Sequence, residues 1–322
     1  MAAVKAVLKL CIAGGFLVLT LLNSSTTADS IQLQLPTAVA MNKDAGRGNW
    51  LVVTLRLDSG QELPFVVDTG CPKTILDKSL EPELGKQLGE NTIWTLGGKL
   101  KTRLFKAPKL YLAGSPLMTG SNTLVCDLKR ITPQGGHSIK GFLGMDCLKN
   151  YCVQLDFASG KMRFLNPDGL SVAGLGEAYP LEYSRGLEDN GLQPFIDDAG
   201  LLGGKCTNTV IDTGMNIDGE AEREVIKMNA SGSYSGNFLK RIKHFVAVEG
   251  MVNRAVILPV CVWGGNSYTN ISVGEAPGDA PSWIGLRFLA RHMVTFNFPK
   301  AVMYLKQTSI GPLVNETEIR TE

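Results

Sequence analysis

Phe65-Val66-Val67-Asp68-Thr69-Gly70 recurs in the second half of the chain as Thr209-Val210-Ile211-Asp212-Thr213-Gly214. The surroundings recur with it. An alternating segment and a turn precede each copy: residues 51–57 with Asp58-Ser59-Gly60 in the first half, and residues 194–197 with Leu202-Gly203-Gly204-Lys205 in the second. Downstream, Gly141-Phe142-Leu143-Gly144-Met145-Asp146-Cys147-Leu148 answers to Ser282-Trp283-Ile284-Gly285-Leu286-Arg287-Phe288-Leu289, and Val153, Leu155 and Phe157 answer to Val294, Phe296 and Phe298. The chain is thus a duplication, with its boundary near the glycine-rich Ala173-Gly174-Leu175-Gly176, taken as a linker. In each unit the apolar run predicts a buried strand, and the glycine after it lets the chain turn, so the aspartate is presented at the end of a rigid element. If the halves face each other, Asp68 and Asp212 share a proton, because two carboxylates roughly 3 Å apart do not both ionise. One then serves as base and the other as acid.

Composition sets the frame for this chemistry. The chain has 322 residues, 44% of them hydrophobic, which is enough for one large core or two modest ones and excludes intrinsic disorder. Lys and Arg number 32 against 30 Asp and Glu, with no basic block, so nucleic acid is not an expected partner. The 36 Gly and 15 Pro are spread throughout, and long 3.6-period stretches are few, which predicts an all-β chain of short strands joined by turns.

With those residues in place, the chain resembles a two-lobed aspartic protease whose lobes are of the retropepsin type. Val67-Asp68-Thr69-Gly70-Cys71-Pro72-Lys73-Thr74-Ile75-Leu76 is similar to the retroviral Asp-Thr-Gly segment, and Gly141-Phe142-Leu143-Gly144 and Trp283-Ile284-Gly285 are similar to the element that packs behind each active-site loop. The resemblance covers about residues 45–306. It implies two retropepsin-like (acid protease) β-barrel lobes related by a pseudo-twofold axis with a cleft between them. It further implies Asp68 and Asp212 as the catalytic pair, Thr69 and Thr213 as hydrogen-bonding supports across the interface, and Gly70 and Gly214 as the turn-permitting residues of the loops. The implied activity is aspartic endopeptidase: the ionised aspartate activates a water while the protonated one polarises the scissile carbonyl of a polypeptide in extended conformation. Neither cofactor nor metal is required. The alternatives are a catalytically inactive peptide- or protein-binding module of the same fold, and a homodimer in which two first halves supply the pair.

A family member also closes a hairpin flap over its substrate. The candidate is Asn91-Thr92-Ile93-Trp94-Thr95-Leu96-Gly97-Gly98-Lys99-Leu100, where Trp94 lies on a flanking strand and Gly97-Gly98 suits a primed turn. Two features depart from the pepsin pattern. The residue after each Asp-Thr-Gly is Cys71 or Met215, not a serine or threonine whose hydroxyl favours the ionised aspartate, so activity is expected in mild rather than strong acid. The second copy is also looser: Met215-Asn216-Ile217-Asp218 does not repeat Cys71-Pro72-Lys73-Thr74, and its flap region, Ser231-Gly232-Ser233-Tyr234-Ser235-Gly236, is weakly patterned, which predicts an asymmetric cleft.

The first residues carry a different signal. Lys5 and Lys9, the apolar run 10–22 and a polar stretch ending at Ala28 have the order of a secretory signal, which predicts lobes over 29–175 and 176–310, a polar tail over 311–322, and a secreted or periplasmic protein. Membrane association is expected only if residues 1–28 stay uncleaved. Six cysteines remain after cleavage, of which Cys147 and Cys152 align with Phe288 and Met293, so packing is the expected role. His137, His244 and His292 lack partners at ligand spacing, and no zinc site is expected. Asn229-Ala230-Ser231, Asn270-Ile271-Ser272 and Asn315-Glu316-Thr317 have the form of glycosylation sequons.

Overall fold

The continuous apolar run Phe65-Val66-Val67 is buried on both faces, as a strand flanked by neighbours on both sides requires. In the computed structural model it ends the strand Glu62–Val67, which pairs antiparallel with Val52–Leu57 and parallel with Gly141–Leu143. The turn between the first two is made at Gly60, whose φ of 88° suits glycine. The run in the second half behaves the same way: Thr209–Asp212 lies between Leu192–Ile196, antiparallel, and Trp283–Gly285, parallel. The described residues are 35–36, 38–95, 98–130, 138–185, 192–197, 209–221, 255–276 and 281–314, and all fall in one unit, Gln34–Glu322.

The protein is mostly β-sheet, as expected from its composition. A nine-stranded sheet is built from the first half and a seven-stranded sheet from the second. Their central strands follow one plan. In the first sheet the neighbours run Asn122–Cys126, Ile75–Asp77, Gly141–Leu143, Glu62–Val67, Val52–Leu57; in the second they run Asn266–Glu275, Gly219–Ala221, Trp283–Gly285, Thr209–Asp212, Leu192–Ile196. Both alternate parallel, antiparallel, parallel, antiparallel in that order. Both strand orders are open-ended among the described residues.

A third, six-stranded sheet takes strands from both halves. At its centre Cys152–Asp156 pairs antiparallel with His292–Asn297, placing Val153 opposite Phe296 and Leu155 opposite Val294, with a Gln154 to Thr295 side-chain hydrogen bond of 3.0 Å. One apolar core runs through both halves, joining Phe65 and Leu143 to Ile211, Ile284 and Phe288. Cys147 and Cys152 are fully buried free thiols in this packing, the role their alignment with Phe288 and Met293 predicted.

Ala173-Gly174-Leu175-Gly176 connects the strands Lys161–Leu165 and Glu177–Pro180 and is held down at two points: Leu175 is buried, and Gly176 lies so close to the strand Val302–Gln307 that a Cβ there would stand 2.1 Å from the Leu305 carbonyl oxygen. One expectation changes. In the hairpin of Gly89–Thr95 and Gly98–Lys106, Thr95 pairs with Gly98, so Gly98 opens the returning strand instead of sitting in the turn. Gly97 lies outside the described residues, as do residues 1–28, 202–206, 231–236 and 315–322, on which the signal segment, the second turn, the second flap region and most of the polar tail fall.

Candidate active site

Each Asp-Thr-Gly loop leaves its sheet at the same point and is braced from behind by the same device. Gly144 and Gly285 precede one-turn helices, Met145–Leu148 and Leu286–Leu289. The first amides of those helices bind the loop carbonyls: Met145 to Cys71 at 2.8 Å, and Leu286 to Met215 at 2.7 Å. Such close packing leaves no room behind the loop. A Cβ on Gly144 would meet the Lys73 carbonyl carbon at 2.6 Å, and one on Gly285 would meet the Ile217 carbonyl oxygen at 2.2 Å. The apolar-apolar-glycine element thus carries glycine because backbone lies where a side chain would go.

The loops meet through their threonines. Thr69 Oγ1 donates to the Ile211 carbonyl at 2.7 Å and accepts from the Thr213 amide at 3.0 Å; Thr213 Oγ1 donates to the Val67 carbonyl at 2.7 Å and accepts from the Thr69 amide at 3.0 Å. Both threonines are buried, so each of these bonds is shielded from water. The two glycines lie in the turns expected of them, closed by the Cys71 amide on the Asp68 carbonyl and the Met215 amide on the Asp212 carbonyl, both at 3.4 Å, and they have a second role. Neither Gly70 nor Gly214 has positive φ. A Cβ on Gly70 would stand 2.4 Å from Asp212 Cγ, and one on Gly214 would stand 2.5 Å from Asp68 Cγ. Glycine is required because each carboxyl lies directly over the opposite loop.

Asp68 and Asp212 are therefore brought together. Each carboxyl lies over the other's loop, near enough for the two to interact electrostatically, and both residues keep partial exposure to solvent. Burial raises the pKa of Asp68 well above the carboxylate range, and the neighbouring Asp212 charge adds to it. Burial raises Asp212 as well, but the Asp68 carboxyl and the amides of Gly214, Met215 and Gly70 oppose the rise. Asp212 Oδ1 accepts the Gly214 amide at 2.7 Å, whereas Asp68 Oδ1 is buried with no hydrogen-bond partner among the described residues. With both carboxyls raised by burial, the pair holds a shared proton above the usual carboxylate range.

Neither residue after an Asp-Thr-Gly brings a hydroxyl to the pair. Cys71 Sγ donates to the Lys73 carbonyl at 2.9 Å, and burial together with the Asp68 charge pushes its thiol pKa well up, so it is not a reactive thiolate. Met215 is buried. His292 is a satisfied core residue: its Nε2 lies 2.8 Å from the Tyr268 hydroxyl and its Nδ1 3.2 Å from the Phe288 carbonyl. His137 and His244 lie outside the described residues, among which no group of metal-ligating side chains occurs.

Two braces were not anticipated. In the first half Asp146 Oδ1 accepts both the amide and the hydroxyl of Thr74 at 2.8 Å. The second half puts Asp218 at the position of Thr74 and Arg287 at that of Asp146, and fixes its loop through a buried ion pair, Arg291 Nη2 to Asp218 Oδ1 at 2.9 Å, with the Ser272 amide on Oδ2 at 2.8 Å. The apparent looseness of the second copy is thus a change of brace. Comparing Thr74 with Asp218 at equal distance from each aspartate is the signal that would have found it.

The first half of this construction has a counterpart among known proteins. Residues 53–147 match the aspartyl protease family. The matched segment runs from the strand before Asp68, through the Asp-Thr-Gly loop and its hairpin, to the helix that braces the loop. The chain has no match among curated proteins.

Proposed function

We propose that the protein is a single-chain aspartic endopeptidase, with Asp68 and Asp212 as its catalytic pair and two retropepsin-like lobes, 29–175 and 176–310, related by a pseudo-twofold axis. The observation that carries this reading is that the two carboxyls each lie over the opposite Asp-Thr-Gly loop, across the reciprocal threonine bonds. Support for the axis comes from the shared sheet. Val153 answers to Val294 and Leu155 to Phe296 in the repeat, yet Val153 pairs with Phe296 and Leu155 with Val294, the exchange that a twofold produces. The aspartyl protease match over 53–147 supports the chemistry for the first lobe.

In the proposed reaction Asp212, ionised, takes a proton from a water whose oxygen bonds to the scissile carbonyl carbon, while Asp68 gives its proton to the carbonyl oxygen. Collapse of the tetrahedral species breaks the C–N bond, with a proton passing to the leaving amine. The carboxyls alternate as acid and base, and no covalent enzyme intermediate forms. The substrate is a polypeptide in extended conformation, and the hairpin carrying Trp94 and Gly98 is the proposed flap. Residues 1–28 are proposed as a secretory signal, placing the mature enzyme outside the cytoplasm.

The test is cleavage of a denatured protein between pH 3 and 7 by the wild type, Asp68→Asn and Asp212→Asn. Each substitution should lower the rate by at least about a thousandfold, and a statine-type peptide should inhibit the wild type. Full activity in Asp212→Asn would move the pair to a dimer of first halves; an inert wild type would leave a peptide-binding module.

A further inference from the structure

The strand Leu192–Ile196 extends past its pairing with Thr209–Asp212 toward the loops, and there Gln193 crosses from the second half to the first: its Nε2 donates to the Gly70 carbonyl at 2.5 Å. That carbonyl belongs to the Gly70–Cys71 peptide of the Asp68 loop. The pairs Val52 with Val66 and Phe195 with Val210 are equivalent in the repeat, so the counterpart of Gln193 is Trp50. Trp50 does something else, packing edge-to-face on Phe142 with ring centroids 5.7 Å apart. The repeat thus places an amide at one position and an indole at its mate, and only the amide engages a catalytic-loop peptide.

We infer that Gln193 is a positioning residue of the dyad: by holding the Gly70 carbonyl from the opposite half, it fixes the Gly70–Cys71 peptide beside Asp68 and makes the surroundings of the two aspartates unequal. The inference rests on the catalytic reading above and deepens it. A peptide whose carbonyl accepts a hydrogen bond is a stronger donor at its N–H, and here that N–H is the Cys71 amide, one of the two groups that favour ionised Asp68. Among the described residues the titratable groups facing Asp68 are Asp212 from the second loop and the Cys71 thiol from its own, with Asp146 behind Cys71. Gln193 is uncharged, so its removal acts on Asp68 through the peptide and not by direct charge.

Gln193→Met, which keeps the length of the side chain but not its donor, and Gln193→Ala are compared with the wild type by carbon-13 titration of the Asp68 carboxyl, identified by its loss in Asp68→Asn. The Asp68 midpoint should rise by about half a unit in both variants, the effect of one misaligned backbone donor. Asn216→Ala removes another bond between the halves, Asn216 Nδ2 to the Gly48 carbonyl at 3.2 Å, and should leave that midpoint in place. In cleavage assays the alkaline limb of the pH profile should move up with the midpoint, and kcat should fall more than KM rises. An Asp68 titration in Gln193→Met that superimposes on the wild type overturns the inference, as does an equal shift in Asn216→Ala. If the wild type cleaves nothing, the proposed activity fails, while the carboxyl titration still decides the role of Gln193.

Discussion

Replacing Asp68 by Asn should stabilise the folded protein at neutral pH. A carboxyl whose pKa is raised by folding contributes stability below its unfolded value and loses it as pH rises through the folded value, so at pH 7 the fold must hold a proton that the unfolded carboxyl would have released, a cost Asn does not carry. Calorimetry at pH 4 and pH 7 checks the sign: the melting temperature of Asp68→Asn should exceed that of the wild type by more at pH 7. A smaller gain at pH 7 would mean that the carboxyl is not held in its protonated form. The same raised pair, with the Cys71 thiol turned to Lys73 and Met215 buried, leads to a cleavage optimum in mild acid; an optimum below about pH 3 would contradict it. His292 works in the opposite sense. Burial lowers its pKa to about 4 from 6.5, so stability held above pH 6.5 is lost as pH falls toward 4. Substituting Gln for His292 should flatten that part of the stability curve, as followed by urea unfolding at each pH.

At the scale of elements, the braces behind the loops decide whether the carboxyls meet. Gly285→Ala would drive a Cβ against the Ile217 carbonyl oxygen and should cost about 3 kcal/mol or more, because backbone on both sides leaves no side chain to give way. Gly60→Ala is the informative comparison: nothing lies within 4 Å of its Cβ, so only the backbone strain of its φ is felt. Unfolding of the two variants in denaturant ranks them, and a Gly285→Ala loss no larger than that of Gly60→Ala would refute the close packing. These braces also mark how far the sequence could be read. Gly144 and Gly285 were legible because the repeat aligns them, although the reason for glycine was not. Gly70 and Gly214 serve the expected turns, but that they also make way for the opposite carboxyl was not legible. Gln193 left no trace, since its mate is Trp50 and a single polar residue on a strand has no pattern of its own.

At the scale of the whole molecule, the six-stranded sheet makes the halves one structure. Cys152–Asp156 and His292–Asn297 are distant in the chain, and each half's core continues into the other's through this sheet. Thermal unfolding should therefore be one transition with equal calorimetric and van't Hoff enthalpies, whereas two resolved transitions would mean that the halves fold separately. The sequence made the two equivalent plans visible through local repeats, but this shared sheet only through the matched Val153, Leu155, Val294 and Phe296, because strand partners across such a separation leave no local signature. The central proposition is that one chain supplies both carboxyls. Titration calorimetry of a statine-type peptide inhibitor into the purified protein at pH 5 tests it most directly. The account predicts one inhibitor bound per chain and none in Asp212→Asn at the same affinity; one inhibitor per two chains, or undiminished binding to that variant, would contradict it.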